Sequence, residues 1–482
     1  MLPRLWPAVL TLGWILLVIA AGQGVMALAS LAAGDGHERV FAITAAITAM
    51  VAIGCILTTK GRPFELNFRD AALLTVIAWV IVPAFAALPF VAEPVGLSVV
   101  DAYFEMVSGL TTTGSTVMTG LDTTPASVLL WRSTVQWIGG IGIIGVAIVI
   151  LPFLNIGGMQ LFRLESSDRS EKSMPRVRGL ATAVGQIYLV LTFACFLTYW
   201  LLGMSPFDAL NHAFTTVPTA GFSTHDASFG YFDSPAIEWA AVIFMISGAL
   251  PFLAYIRLVR GRTLGERLDP QVIVLIATLV VLVFLFSVWL RFEHGVDAGT
   301  ALTKSAFNVV SIVTTTGYAS TDYLVWGAFA TSFFFAIMFV GGCTGSTSGS
   351  LKIFRYQVMY GIVSQHASRV VHPNVVTPIR FGPRTVTDEQ VASVGTFVFL
   401  FFLSFAVCAL ILASLGLDAE TSLSAAATAI ANVGPGIGPV VGPAGNFASL
   451  PDGAKLVLCL AMIMGRLEIL GVLVLFLPSF YR

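Results

Sequence analysis

The stretch DAYFEMVSGLTTTGST, from Asp101 to Thr116, decides the fold. It is too short to cross a bilayer and too apolar for an ordinary loop, and it ends in residues that are poor for helix. Three further stretches share its layout: DALNHAFTTVPTAGFS from Asp208, KSAFNVVSIVTTTGYA from Lys304 and TSLSAAATAIANVGPG from Thr421. In each, a glycine (Gly114, Gly221, Gly317, Gly434) stands thirteen positions after the first residue quoted. Each copy also lies between two long apolar runs, so one module of helix, half-helix, Thr/Gly turn and helix is used four times.

Outward from these stretches, runs long enough to span about 30 Å of hydrocarbon fall at 5–33, 38–59, 70–92, 127–154, 180–203, 235–258, 271–293, 327–362, 388–415 and 454–478. Composition agrees, with 57% hydrophobic and 11% charged residues, against about 25% charged in a soluble domain. The first apolar run loosely imitates a secretory signal, but it extends without a polar region into a second span and reads as a helical hairpin. The expected fold is an all-α membrane protein with four quasi-repeated helix, pore half-helix, filter and helix units around one central pore, plus an extra N-terminal helix pair. The expected divisions are a hairpin over 1–65 and pore repeats over 66–160, 175–265, 268–370 and 385–482.

A net charge of −1 gives no pull toward nucleic acid. The distribution of cations is more informative. Lys60, Arg62 and Arg69, then Arg163, Arg169, Lys172, Arg176 and Arg178, then Arg257, Arg260, Arg262 and Arg267, and last Lys352, Arg355, Arg369, Arg380 and Arg384 occupy alternate loops. The positive-inside rule makes these loops cytoplasmic, and ten crossings place both termini there as well. The opposite loops carry Asp35, Glu38, Glu93, Asp122, Asp233 and Asp322, which suits an outer mouth that attracts cations. The five scattered cysteines, without a Cys-x-x-Cys pair, read as packing residues.

A half-helix that stops inside the membrane leaves carbonyls that lipid cannot solvate, so four of them imply a protein-lined or water-filled path. Their partially negative ends favour a cation. The backbone that follows supplies carbonyl oxygens able to replace an ion's hydration shell, and glycine permits the dihedrals this requires. Asp101 and Asp208, opening two of the half-helices, are expected to cap them first and attract cations second. The six histidines show no metal-ligand spacing, and no nucleotide fingerprint stands between a strand and a helix.

On Thr111-Thr112-Thr113-Gly114, Ala220-Gly221-Phe222-Ser223-Thr224, Thr314-Thr315-Thr316-Gly317-Tyr318 and Asn432-Val433-Gly434-Pro435-Gly436, the chain resembles the Trk/Ktr/HKT superfamily of potassium transporters. It is most similar to the TrkH-like membrane subunits of bacterial Trk systems, over nearly its whole length. The resemblance implies a potassium filter at Thr112, Thr113, Gly114, Thr219, Ala220, Gly221, Thr315, Thr316, Gly317, Asn432, Val433 and Gly434. Pro218 and Ala220 make the second segment the least regular. The resemblance also implies an intramembrane gate at Gly341, Gly342, Gly345, Ser346, Thr347, Ser348 and Gly349, where a small-residue packing face is the alternative. Arg466 then acts as a barrier charge below the filter, the alternative being an ion pair with Glu468 on a neighbouring chain or helix. Implied partners are a second copy of the chain, membrane lipid and cytosolic nucleotide-binding Trk A-type regulatory subunits. No cofactor is implied on this chain, K+ being the transported ion and the nucleotide sitting on the partner. The implied location is the bacterial cytoplasmic (inner) membrane.

Two other classes fit less well. A coupled carrier usually inverts its repeats, whereas these four run parallel. A membrane enzyme requires paired carboxylates, metal sets or Ser/His pairs, which the spans lack. No membrane-centre carboxylate relay stands out, and channel-like and ion-coupled transport both stay open.

Overall fold

A computed structural model describes residues 5–62, 68–149, 173–259, 269–375, 377–382 and 384–481. The regular structure of these residues is helical, apart from a two-residue ladder pairing Arg380–Phe381 with Arg384–Thr385. Six described helices are long and apolar enough to cross a membrane, and two bent pairs raise that to eight. Their outward faces expose large apolar side chains such as Val18, Leu28, Leu201, Val280 and Phe292, as a surface in contact with lipid requires.

The first two helices, Leu5–Ala33 and Glu38–Thr59, form the hairpin. Gly13 lets them close, because a Cβ there would press on Ile56 and the Ala52 carbonyl. Gln23 ties the hairpin inward, donating to the Phe85 carbonyl at 2.9 Å and accepting from Thr48 at 3.0 Å. Beyond it, the four modules follow in chain order. Their first helices are Phe68–Ala86, Ser173–Leu201, Pro270–His294 and Asp388–Ser414. Their half-helices are Val99–Leu110, Pro206–Thr216, Ala298–Val313 and Ala419–Ala431.

The closing helices differ from continuous spans in three of the four modules. Only Ala126–Val149 runs without a break among the described residues. The run over 235–258 bends by 94° after Ala249, and that over 454–478 bends by 105° after Arg466. Proline explains the first break, since Pro251 cannot donate to the helix. At the second, Glu468 and Ile469 take left-handed backbone, with φ of 58° and 34°. The run over 327–362 is a short helix, Ala328–Ile337, a loop, and a second helix, Ile353–Val371.

Two capping expectations need correction. Asp101 and Asp208 are not the caps. Ser98 and Ser205 are, each accepting the backbone N–H three residues on, at 3.1 and 3.0 Å. The aspartates sit in the first turn and bond back to the serine hydroxyls at 2.8 and 2.6 Å. Asp101 is also paired with Lys455 at 2.5 Å, so its charge is already matched. Lys352 and Arg355, expected in a solvated cytoplasmic loop, are buried beside Glu468 instead. Loop charge counting misplaced them because the broken helix carries its polar residues inside the protein. The basic residues at 163, 169, 172, 260, 262 and 267 lie outside the described residues.

Candidate functional site

Every half-helix ends in a left-handed residue, Thr112 (φ 52°), Thr219 (53°), Thr315 (59°) or Asn432 (53°), two positions before the glycine of its loop. The next N–H reaches back five residues: Thr113 to the Ser108 carbonyl at 2.9 Å, Ala220 to Thr215 at 2.9 Å, Thr316 to Ser311 at 2.8 Å and Val433 to Thr428 at 3.1 Å. This is a Schellman closure, in which glycine ordinarily takes the left-handed position. Threonine takes it three times, although a β-branched side chain strongly opposes that conformation, and strain of this kind gathers at functional sites. The turns thus spend their N–H groups on the half-helix ends.

The four glycines then bring the loops together. All are left-handed, with φ of 87°, 84°, 83° and 111° in chain order. A Cβ on Gly114 would meet the Ala220 carbonyl oxygen, one on Gly221 that of Thr316, one on Gly317 that of Val433, and one on Gly434 that of Thr113, all closer than 3.0 Å. Each module therefore touches the next at one repeated position, and the fourth touches the first. That cycle surrounds a single axis with backbone.

Threonine hydroxyls brace two of the loops internally, Thr111 against Thr113 at 2.7 Å and Thr314 against Thr316 at 2.8 Å. Loop four is held from outside itself: Asn432 donates to Thr113 at 2.9 Å and to the Met462 carbonyl at 2.9 Å, and Ser115 donates to the Gly434 carbonyl at 2.8 Å.

Residues 341 to 350 are buried against the turn residues of this ring. Thr347 donates to the carbonyls of Val217 and Gly248 at 3.2 and 3.0 Å, and accepts from Thr219 at 3.2 Å. Ser348 donates to the Thr314 carbonyl at 2.8 Å, and the Gly349 N–H donates to the Thr315 hydroxyl at 2.8 Å. A Cβ on Gly349 would press on the Ala431 carbonyl, and one on Gly342 on Ser348 and Ala249. Gly341 and Gly345 take left-handed backbone, the Gly345 carbonyl accepts from Phe252 N–H at 3.0 Å, and Ser346 donates to the Cys343 carbonyl at 2.6 Å. The segment is thus a non-helical stretch packed against three of the four Thr/Gly loops. It is also firmly tied, by these bonds and by the Cys343 N–H to the Ala249 carbonyl at 3.0 Å.

Arg466 is buried one residue from Gly465, whose α-carbon lies against the Ile430 carbonyl and Asn432. Its Nε and Nη2 have no hydrogen-bond partner among the described residues. Within this chain Arg466 and Glu468 are not paired among the described residues. Glu468 is bonded to Arg355 and lies 3.6 Å from Lys352, both just after residues 341 to 350.

Beyond the glycines, Asp122 meets His225 at 2.5 Å, and His225 stacks on Tyr231 with ring centroids 3.4 Å apart. The His225 hydrogen bond holds the Asp122 carboxyl below its usual pKa. That tie is present above the ordinary carboxylate value and is lost as pH falls through the lowered one.

Sequence reasoning missed the buried polar groups behind the ring. Glu105, His212 and Asn308 occupy one position in three half-helices and hold the chain that follows each glycine: Glu105 accepts from Val117 N–H at 2.9 Å, His212 lies 3.0 Å from the Ser223 hydroxyl, and Asn308 accepts from Ser320 N–H at 3.2 Å. A charge or amide at a fixed place in apolar half-helices was the available signal.

A cycle of re-entrant loops enclosed by lipid-facing helices defines a membrane transport protein, not an enzyme. The chain belongs to the TrkH family of cation transport proteins, whose model matches residues 37–480. It is 46% identical over 481 residues to the Trk system potassium uptake protein TrkI of Halomonas elongata, covering 99% of this chain and 98% of that one. It is 38% identical over 476 residues to the Trk system potassium uptake protein TrkH of Salmonella typhimurium, covering 97% and 98%. The crystal structure of the potassium transporter TrkH from Vibrio parahaemolyticus superposes with a TM-score of 0.91 at 35% identity, covering 99% of this chain and all of that chain.

Proposed function

We propose that this chain is the potassium-conducting membrane subunit of a Trk-type uptake system in the bacterial cytoplasmic membrane, with both termini cytoplasmic. The observation that carries the reading is the cycle Gly114 to Ala220, Gly221 to Thr316, Gly317 to Val433 and Gly434 to Thr113. Backbone at that spacing, with its N–H groups already spent, leaves carbonyl oxygens as the chemistry offered to a cation. Residues 341 to 350 act as the gate and Arg466 as the barrier charge. Potassium is cargo, held by the filter residues, and the chain needs no cofactor of its own.

The test is rubidium flux into liposomes holding the purified chain. Uptake that potassium blocks and sodium does not is expected, and an inert protein in well-formed vesicles would refute the reading. Comparing uptake under an imposed pH gradient with uptake under voltage alone then separates coupled transport from conduction.

The assembly we propose is a homodimer on a ring of cytosolic nucleotide-binding Trk A-type subunits. The loops at 163–178 and 257–267 supply its charged contacts, which steer association more than they fix affinity. Arg260→Glu with Arg262→Glu is expected to slow or weaken ring binding, and an unchanged pull-down at physiological salt would retire these loops as the docking surface.

A further inference from the structure

The second filter loop is braced differently from the first and third. Where loops one and three hold a threonine pair, loop two has Pro218 and Ala220, which carry no hydroxyl. Its support comes from the neighbouring module. Gln136 donates to the Ala220 carbonyl at 2.8 Å and accepts from the Phe222 N–H at 3.1 Å, bridging the residues on either side of Gly221. One turn earlier on the same helix, Arg132 donates to the Ser223 carbonyl at 3.1 Å, and its guanidinium lies 4.1 Å from the Phe222 ring centroid.

Arg132 is itself held by Glu105. Its Nε and Nη2 donate to one oxygen of that carboxylate at 2.9 and 2.7 Å. The other oxygen accepts from the Val117 N–H at 2.9 Å and the Thr116 hydroxyl at 3.0 Å, just past Gly114. All three side chains are buried, at 0, 1 and 0% exposed for Glu105, Arg132 and Gln136. The charges are fully desolvated and meet each other, so the geometry of the pair is strongly determined. Arg132 Nη2 also donates to the Thr116 hydroxyl at 3.2 Å, so the guanidinium touches the chain following two of the glycines at once, its partner anion touches one of them, and together they fix the separation.

We infer that Glu105, Arg132 and Gln136 are the positioning residues that set ion discrimination by the irregular second filter loop. They touch the loops rather than the ion. Discrimination depends on where the four sets of carbonyls are held, and loop two lacks the internal threonine pair of loops one and three. The inference rests on the potassium-pore reading above.

The experiment measures reversal potentials of the full chain in bilayers under a potassium/sodium gradient, with circular dichroism and thermal melting alongside. A reversal potential does not depend on how many molecules are active, so a role confined to stability would lower current and melting temperature without moving it. Gln136→Leu removes only neutral hydrogen bonds, and Glu105→Gln keeps the shape of the side chain while cancelling its charge. Both are expected to lower the potassium-to-sodium permeability ratio about tenfold while current persists. Arg132→Lys, which keeps the charge but loses the planar fork, should fall between them and the unmutated chain. Ratios within twofold of the unmutated chain in folded Gln136→Leu and Arg132→Lys would overturn the inference. Should Glu105→Gln fail to fold, Gln136→Leu decides alone. Loss of the pore reading has a different signature, since the unmutated chain would then show no potassium-selective potential at all.

Discussion

Gly317→Ser and Gly114→Ser are expected to collapse potassium-over-sodium discrimination or to stop potassium flux. Two separate costs combine at these positions. Each glycine has φ above 80°, where an L-residue costs about 1–2 kcal/mol. Each new Cβ would also overlap a backbone carbonyl of the next module, Val433 for Gly317 and Ala220 for Gly114. Backbone cannot swing aside as a side-chain tip can, so the ring must widen or tilt. A carbonyl displaced from a potassium site loses the match to the ion's hydration shell, and a differential of about 1.4 kcal/mol is already tenfold. Competition of sodium against rubidium uptake measures the change. Unaltered discrimination in both variants would remove the ring from the permeation path.

The glycines were legible because spacing survives in a linear string. Four residues at one offset, each between apolar runs, stand out without coordinates. The threonines before them were legible as neighbours but not as left-handed caps, since glycine is the residue that ordinarily marks that position. The brace on loop two was hidden for another reason. Gln136 and Arg132 are eighty or more positions from the loop-two atoms they bond, and an isolated glutamine in an apolar helix carries no register. Lys352, Arg355 and Glu468 show the opposite error. Loop charge counting is a rule about where solvated cations lie, and it misplaces cations that a broken helix has drawn inside to meet a carboxylate.

Gating carries the second large effect, and the tight bonding of residues 341 to 350 changes its expected form. A loosely held plug would leak in the isolated subunit, whereas one tied to Thr219, Thr315, Val217 and Gly248 stays shut until those bonds are broken together. Local opening is costly where buried hydrogen bonds are many, so basal flux without the regulatory ring should be low. Thr347→Ala and Ser348→Ala each remove side-chain ties to the filter loops, and each is expected to raise basal flux severalfold. Arg466→Ala acts through charge instead. A unit positive charge near a cation's path is worth about 1–4 kcal/mol over the range from water to an effective protein dielectric at contact distance, so its loss should raise basal flux at least about fivefold. Arg466→Lys keeps the charge and most of the barrier, while losing the planar fork. The chain offers Arg466 no counter-charge through Glu468, whose carboxylate is already engaged by Arg355. Glu468→Gln therefore tests a distinct link, because it removes the negative charge that faces Lys352 and Arg355 just after residues 341 to 350 without touching the filter. Steady-state rubidium flux in the absence of the ring reads all of these. Should Thr347→Ala, Ser348→Ala and Arg466→Ala all fold and all leave basal flux at the unmutated level, the barrier to permeation lies outside residues 341 to 350.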